Sequence, residues 1–152
     1  MKKVGRRVFK IYTKLFIYFL LITILTSFST IILHEFGHFL FGIYAGCKTV
    51  KIVLFDTSAM TTYTEMECPP NVNMFLLGVS GFFIVLPLSI LYFLTSKGGE
   101  KYIALIIIGF NFVIAVNDFE LYLNFPFSHI FAIIGGLLII LGEVLLIEKT
   151  IL

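Results

Sequence analysis

From Leu15 to Gly46 the chain runs for 32 residues without a lysine, arginine or aspartate, and His34, Glu35 and His38 are its only acidic or imidazole-bearing side chains. As a helix this run would reach about 48 Å, past the roughly 30 Å hydrocarbon core of a bilayer but short of two full passages with a loop. It therefore reads as one long helix, tilted or kinked, or as a tight hairpin. Ser27, Ser29 and Thr30 are the expected break, because short hydroxyl side chains satisfy backbone groups that a kink releases. The whole sequence agrees with a bilayer as solvent: 59% of residues are hydrophobic and 13% charged, against about 25% charged in soluble domains.

Further apolar spans follow at Val72 to Leu94, interrupted by Gly78, Gly81 and Pro87, at Tyr102 to about Asn117, and at Ile130 to Ile147. An irregular aromatic segment to Phe127 separates the last two, and Ser96-Lys97-Gly98-Gly99-Glu100 is a polar turn. Residues 47–70 differ. Thr49, Val50, Ile52, Val53, Leu54 and Phe55, then Thr61 to Thr64, are β-branched, aromatic or apolar around Asp56-Thr57-Ser58, which predicts a short β-hairpin or re-entrant ribbon stopped by Pro69-Pro70. The fold class expected is an all-α polytopic membrane protein of about four transmembrane helices, with a β-hairpin after the first, forming a single domain over 1–152.

Six of the eleven basic residues, Lys2, Lys3, Arg6, Arg7, Lys10 and Lys14, fall within residues 1–14. This pattern marks a membrane surface and not a nucleic-acid partner, and no small-residue cleavage site follows it, so the segment is expected to be retained. Four spans place nine basic residues on the amino-terminal side against Lys48 and Lys51 opposite, and the positive-inside rule makes the richer side cytoplasmic. The hairpin alternative gives eight against three. The expected location is the cell membrane.

The chemistry lies inside the first apolar run, where His34-Glu35-Phe36-Gly37-His38 forms an HExxH motif. On a helix the two histidines lie four apart on one face and can converge on one Zn2+, and Glu35 can reach a metal-activated water as general base. Ionisable groups at membrane depth are costly on insertion scales, so three polar residues in five positions call for a compensating partner. A third ligand is needed. Asp118 is the first choice, since it follows a long apolar run, and His129 is the alternative; a helix cap is the bland reading of each. Glu120 ranks below them, and Asn117 suits a hydrogen-bond donor to substrate or ligand. Gly78 and Gly81 permit close helix approach, Glu143 reads as snorkelling or ion-paired, and Cys47 and Cys68 can pair if their loop faces an oxidising compartment.

With these residues in place the sequence resembles the site-2 protease family of intramembrane zinc metalloproteases. The resemblance rests on His34 to His38, on Gly46 with the β-like Val50 to Phe55, and on the Leu77 to Leu88 span with Gly81. It implies that His34, His38 and a downstream aspartate hold zinc, that Glu35 is the catalytic base, and that the substrate is a membrane-embedded protein or peptide. The family's Leu-Asp-Gly motif has no counterpart in Asn124-Phe125-Pro126-Phe127-Ser128-His129, and its Gly-Pro pair is Gly81-Phe82 here. Asp118 or His129 supplies the third ligand, or the site is incomplete. The expected function is thus an intramembrane zinc metalloprotease. The alternative is a non-catalytic metal-binding or partner-binding pseudoprotease, and a proton or ion relay ranks last.

Overall fold

The computed structural model describes residues 2–57 and 61–151. The side chains of Lys2, Lys3, Arg6, Arg7 and Lys10, and Ser58 of the expected turn, lie outside the described residues. Four helices carry the fold: α1 (Lys2–Tyr44), α2 (Met74–Thr95), α3 (Lys101–Leu123) and α4 (His129–Ile151). Between α1 and α2 lies an antiparallel hairpin of β1 (Lys48–Asp56) and β2 (Thr61–Glu67), and a short 3-10 turn, Gly98–Glu100, leads into α3. All four helices are long and apolar enough to cross a membrane, over Tyr12–Tyr44, Met74–Thr95, Gly98–Leu123 and His129–Thr150.

The first apolar run is one continuous helix, so the hairpin alternative falls away, and α1 includes the basic stretch at its start. The break expected at Ser27, Ser29 and Thr30 is absent. Thr26 and Thr30 instead donate to carbonyls one turn back, Ile22 O at 2.7 Å and Thr26 O at 2.6 Å, so these hydroxyls are satisfied within the helix. The helix ends where Gly46 adopts φ +76°, while the amides of Ala45, Gly46 and Cys47 close onto carbonyls of the last turn.

The hairpin pairs Lys51 with Glu65, Ile52 with Thr64 and Val53 with Tyr63, with register irregularities on either side. A two-stranded sheet is marginal by itself. Here a Cys47–Cys68 disulfide closes its base, worth about 3 kcal/mol for a loop of this length, and Val50 and Met66 pack against Gly42 of α1. On the exposed face Lys51 meets Glu65 at 2.7 Å, and the hydrogen bond it donates to that carboxylate holds the ammonium above its usual range. Tyr63 donates to Asp56, which likewise raises its phenol.

Helix α3 is the central element, packed against α1, α2 and α4. Val79, Phe82, Ala115 and Phe119 form the core between α2 and α3, flanked by Phe112 and by Phe131 of α4. Phe82 meets Phe112 edge-on at 5.1 Å, and Phe119 meets Phe131 at 4.7 Å. Backbones approach closely where glycine permits: a Cβ on Gly37 would stand 2.6 Å from Ser80 O, and one on Gly109 would stand 2.6 Å from Gly135 O. The third span is longer than the sequence suggested. It continues through Asp118 and Glu120 to Leu123, because no breaker intervenes until Asn124 takes a left-handed φ of 48°.

The chain contains no tryptophan, so an introduced one is a clean reporter. Phe83 and Leu137 sit near the middles of α2 and α4 and are 57% and 63% exposed. Single-tryptophan variants Phe83→Trp and Leu137→Trp, reconstituted in phosphatidylcholine brominated near mid-chain, should lose more than half of their fluorescence relative to unbrominated lipid. Equal fluorescence in the two lipids would contradict a spanning arrangement.

Candidate metal centre

One face of α1 presents His34 and His38 on successive turns toward α2 and α3, and α3 presents Asp118 opposite them. Asp118 Oδ2 lies 2.6 Å from His34 Nε2 and 3.1 Å from His38 Nε2, and the two Nε2 atoms are 3.3 Å apart. Both histidines are buried, and the Asp118 side chain is 16% exposed. These three residues form a group able to hold a metal ion.

The partners of the far ring nitrogens define what the near ones offer. His38 Nδ1 is 2.9 Å from Leu77 O, a carbonyl that can only accept, so Nδ1 carries the proton. The Ser80 hydroxyl donates to the same carbonyl at 2.8 Å and lies 3.0 Å from Nδ1, where its oxygen accepts. His34 Nδ1 lies 3.1 Å from Asn111 Oδ1, and the Asn111 amide is oriented by donating from Nδ2 to Phe82 O at 3.1 Å. Each histidine therefore donates outward from Nδ1, which directs Nε2 inward toward Asp118. The two Nε2 atoms and a carboxylate oxygen converge on one point, where either protons on the imidazoles or a bound cation satisfies the carboxylate. Two nitrogens and one carboxylate are a donor set suited to zinc and to other divalent first-row metals.

Glu35 is buried beside this group, with Oε2 2.8 Å from the Thr64 hydroxyl of β2. The same hydroxyl lies 3.0 Å from the Glu35 carbonyl, so its single proton is shared between them. A strand residue thus fixes a side chain of α1. Beneath the imidazoles α2 passes at Gly81, where a Cβ would stand 2.6 Å from His34 Nε2 and 2.7 Å from His38 Nε2. Gly78, one turn earlier, accommodates Tyr122 in the same way. Two clefts flank the centre, of about 560 Å³ and 630 Å³, and Glu35, Thr62, Asn117 and Asp118 line both.

His34, Glu35, His38 and Asp118 are brought together, and Asn117 stands at the cleft. His129 is not part of the group. Its side chain is 80% exposed and lies 3.5 Å from Glu120, and Glu120 also accepts from Ser128 at 2.5 Å, so these residues tie the α3–α4 turn. Glu143, expected to snorkel or to pair with a cation, accepts from Thr23 of α1 at 2.7 Å. Sequence reasoning missed Asn111, Ser80 and Thr64. Asn111 was within reach, since it is an amide inside an apolar span two helical turns before Asp118 and therefore on the same face. Thr64 carries no such signal, because its role depends on how the hairpin folds back on α1.

No protein-family model, curated protein or solved structure matches the chain.

Titration with Co2+ in detergent, read by its visible absorption, should give one site per chain. His34→Ala and Asp118→Ala should abolish it, Asn111→Leu should weaken it about 10–100-fold, and His129→Ala should leave it unchanged. Undiminished binding in Asp118→Ala would remove this residue from the ligand set.

Proposed function

We propose that the protein is a zinc-dependent intramembrane endopeptidase of the site-2 protease type, hydrolysing peptide bonds of membrane-embedded substrates. The observation that carries this reading is the convergence of His34, His38 and Asp118 with Glu35 held beside them, within helices apolar enough to span a bilayer. His34, His38 and Asp118 are the residues that would hold the metal. When bound, zinc supplies Lewis-acid polarisation of a carbonyl and of the attacking water.

The remaining work falls to the chain. Glu35 takes the proton of the attacking water and passes it to the leaving amine. Thr64 holds Oε2 of that carboxylate, which leaves Oε1 for the water. Asn111, and Ser80 with Leu77 O, keep both imidazoles in the tautomer that offers Nε2 to the metal. Asn117, which lines both clefts, would donate to a substrate carbonyl. A substrate helix must unwind locally to bring its backbone to this point, since helical amides and carbonyls are already paired.

The orientation proposed places the hairpin and the α3–α4 turn outside the cytoplasm. Two independent features support it: the excess of lysine and arginine on the other side, and the Cys47–Cys68 disulfide, which belongs to an oxidising compartment. The missing Leu-Asp-Gly motif favours a second reading, a non-catalytic metal-binding subunit, which predicts metal retention without Glu35-dependent hydrolysis.

Zinc-loaded protein in proteoliposomes, incubated with a library of single-span model helices and analysed by mass spectrometry, should release cleaved products. Glu35→Gln should keep its zinc and lose about 10²–10⁴-fold in rate. Cleavage by Glu35→Gln at the wild-type rate would refute the mechanism, and no cleavage by zinc-loaded wild type would favour the non-catalytic subunit.

A further inference from the structure

The two clefts beside the centre differ in chemistry. One lies between α1 and α3 beneath the hairpin, and its outer wall is Phe28, Ile31, Leu54, Val113 and Ile114. The other lies between β2 and the end of α3 and bears Asp56, Tyr63, Glu120 and Tyr122. Glu35 and Asp118 belong to both, so a chain bound at the metal centre has an apolar recess on one side and a polar one on the other. Phe28 and Val113 are exposed and lie within membrane-spanning segments, so the apolar recess opens toward acyl chains.

Resting on the proposed hydrolysis, we infer that the recess between α1 and α3 is a specificity subsite that takes one large aliphatic side chain flanking the scissile bond, while the rest of the bound segment leaves along the polar cleft. The recess shares the wall of the metal centre, so an occupant there is adjacent to the scissile bond and cannot be remote from it. Away from the metal centre the recess is walled by Phe28, Ile31, Leu54, Val113 and Ile114, which pack against an aliphatic group and offer no polar partner to a charged one. Among the described residues the polar cleft has no lysine or arginine in its wall to receive an acidic side chain. The segment cleaved is therefore amphipathic along its length, as where a membrane helix passes into its polar flank.

The test uses two metal-directed probes that need no known substrate. Acetohydroxamate reports the centre alone, and 4-methylpentanohydroxamate adds an isobutyl group for the recess. Binding to Co2+-loaded full-length protein in detergent is followed by the visible spectrum. The longer probe should bind at least tenfold tighter. Ile114→Trp, which fills the recess, should abolish that advantage while keeping the metal and the acetohydroxamate affinity, which shows that the variant is folded. Leu121→Trp, in the polar cleft, should preserve the advantage.

Equal affinity of the two probes for wild type, the result expected where a lipid acyl chain occupies the recess, would overturn the subsite and leave the hydrolase reading intact. So would an advantage that survives Ile114→Trp or disappears in Leu121→Trp. Failure of acetohydroxamate to perturb the bound cobalt would overturn the accessible metal centre itself, and the subsite with it.

Discussion

Two imidazoles and a carboxylate share a point inside an apolar helical bundle, and most of the surrounding structure follows from satisfying them there. Polar groups buried among apolar side chains lose most of their water, so each needs a partner from the chain. His34 finds Asn111, His38 finds Leu77 O and Ser80, and Asn111 in turn finds Phe82 O. Among the described residues no buried side-chain nitrogen or oxygen lacks a hydrogen-bond partner. What this outer ring leaves is directed inward: the two Nε2 atoms and Asp118.

The close approach of α2 to α1 is the steric condition for that ring. Leu77 O and Ser80 reach His38 only because Gly37 and Gly81 allow the two backbones to meet, and a single methyl at Gly81 would collide with both imidazoles. Packing between α2 and α3 then sets where Asp118 falls. The aromatic core of Phe82, Phe112 and Phe119 fixes the rotation of α3, and in that rotation Asn111 and Asp118, two turns apart, both face α1. Helix packing and the convergence of His34, His38 and Asp118 are thus one property of the bundle.

Much of this was legible in the sequence, and the limits have physical causes. The HExxH spacing gives the facing of His34 and His38 because helical periodicity is local, and the charge-poor runs give four helices because spanning length is a simple count. Asp118 could be singled out by the cost of a carboxylate after a long apolar run. The same argument could not separate it from His129, since both lie near the α3–α4 turn and only the tertiary structure shows His129 facing outward. The end of α3 was misplaced by about six residues because Asn117-Asp118 resembles a helix terminus, whereas the chain turns at Asn124. The break expected at Ser27, Ser29 and Thr30 failed because hydroxyls that can relieve a kink can equally bond within an unbroken helix. Cys47 and Cys68 bracket a hairpin in sequence, but their pairing follows from strand register and not from spacing.

The hairpin joins the buried centre to the polar side of the molecule through a single hydroxyl. Two strands hold their register poorly alone, yet Thr64 must be placed within hydrogen-bonding distance of a carboxylate on a different element. The disulfide at the base and the seating of Val50 and Met66 on Gly42 restrict the hairpin to one pose against α1. Ile52 and Thr64 face one another across the two strands, and Leu54 and Thr62, further toward the tip, line the recess beside His34 and Asp118. A ribbon anchored in this way does two things with the same residues: it steadies Glu35, and it roofs the apolar cleft between α1 and α3. The position of the carboxylate and the shape of the cleft therefore vary together, so any displacement of the hairpin alters both.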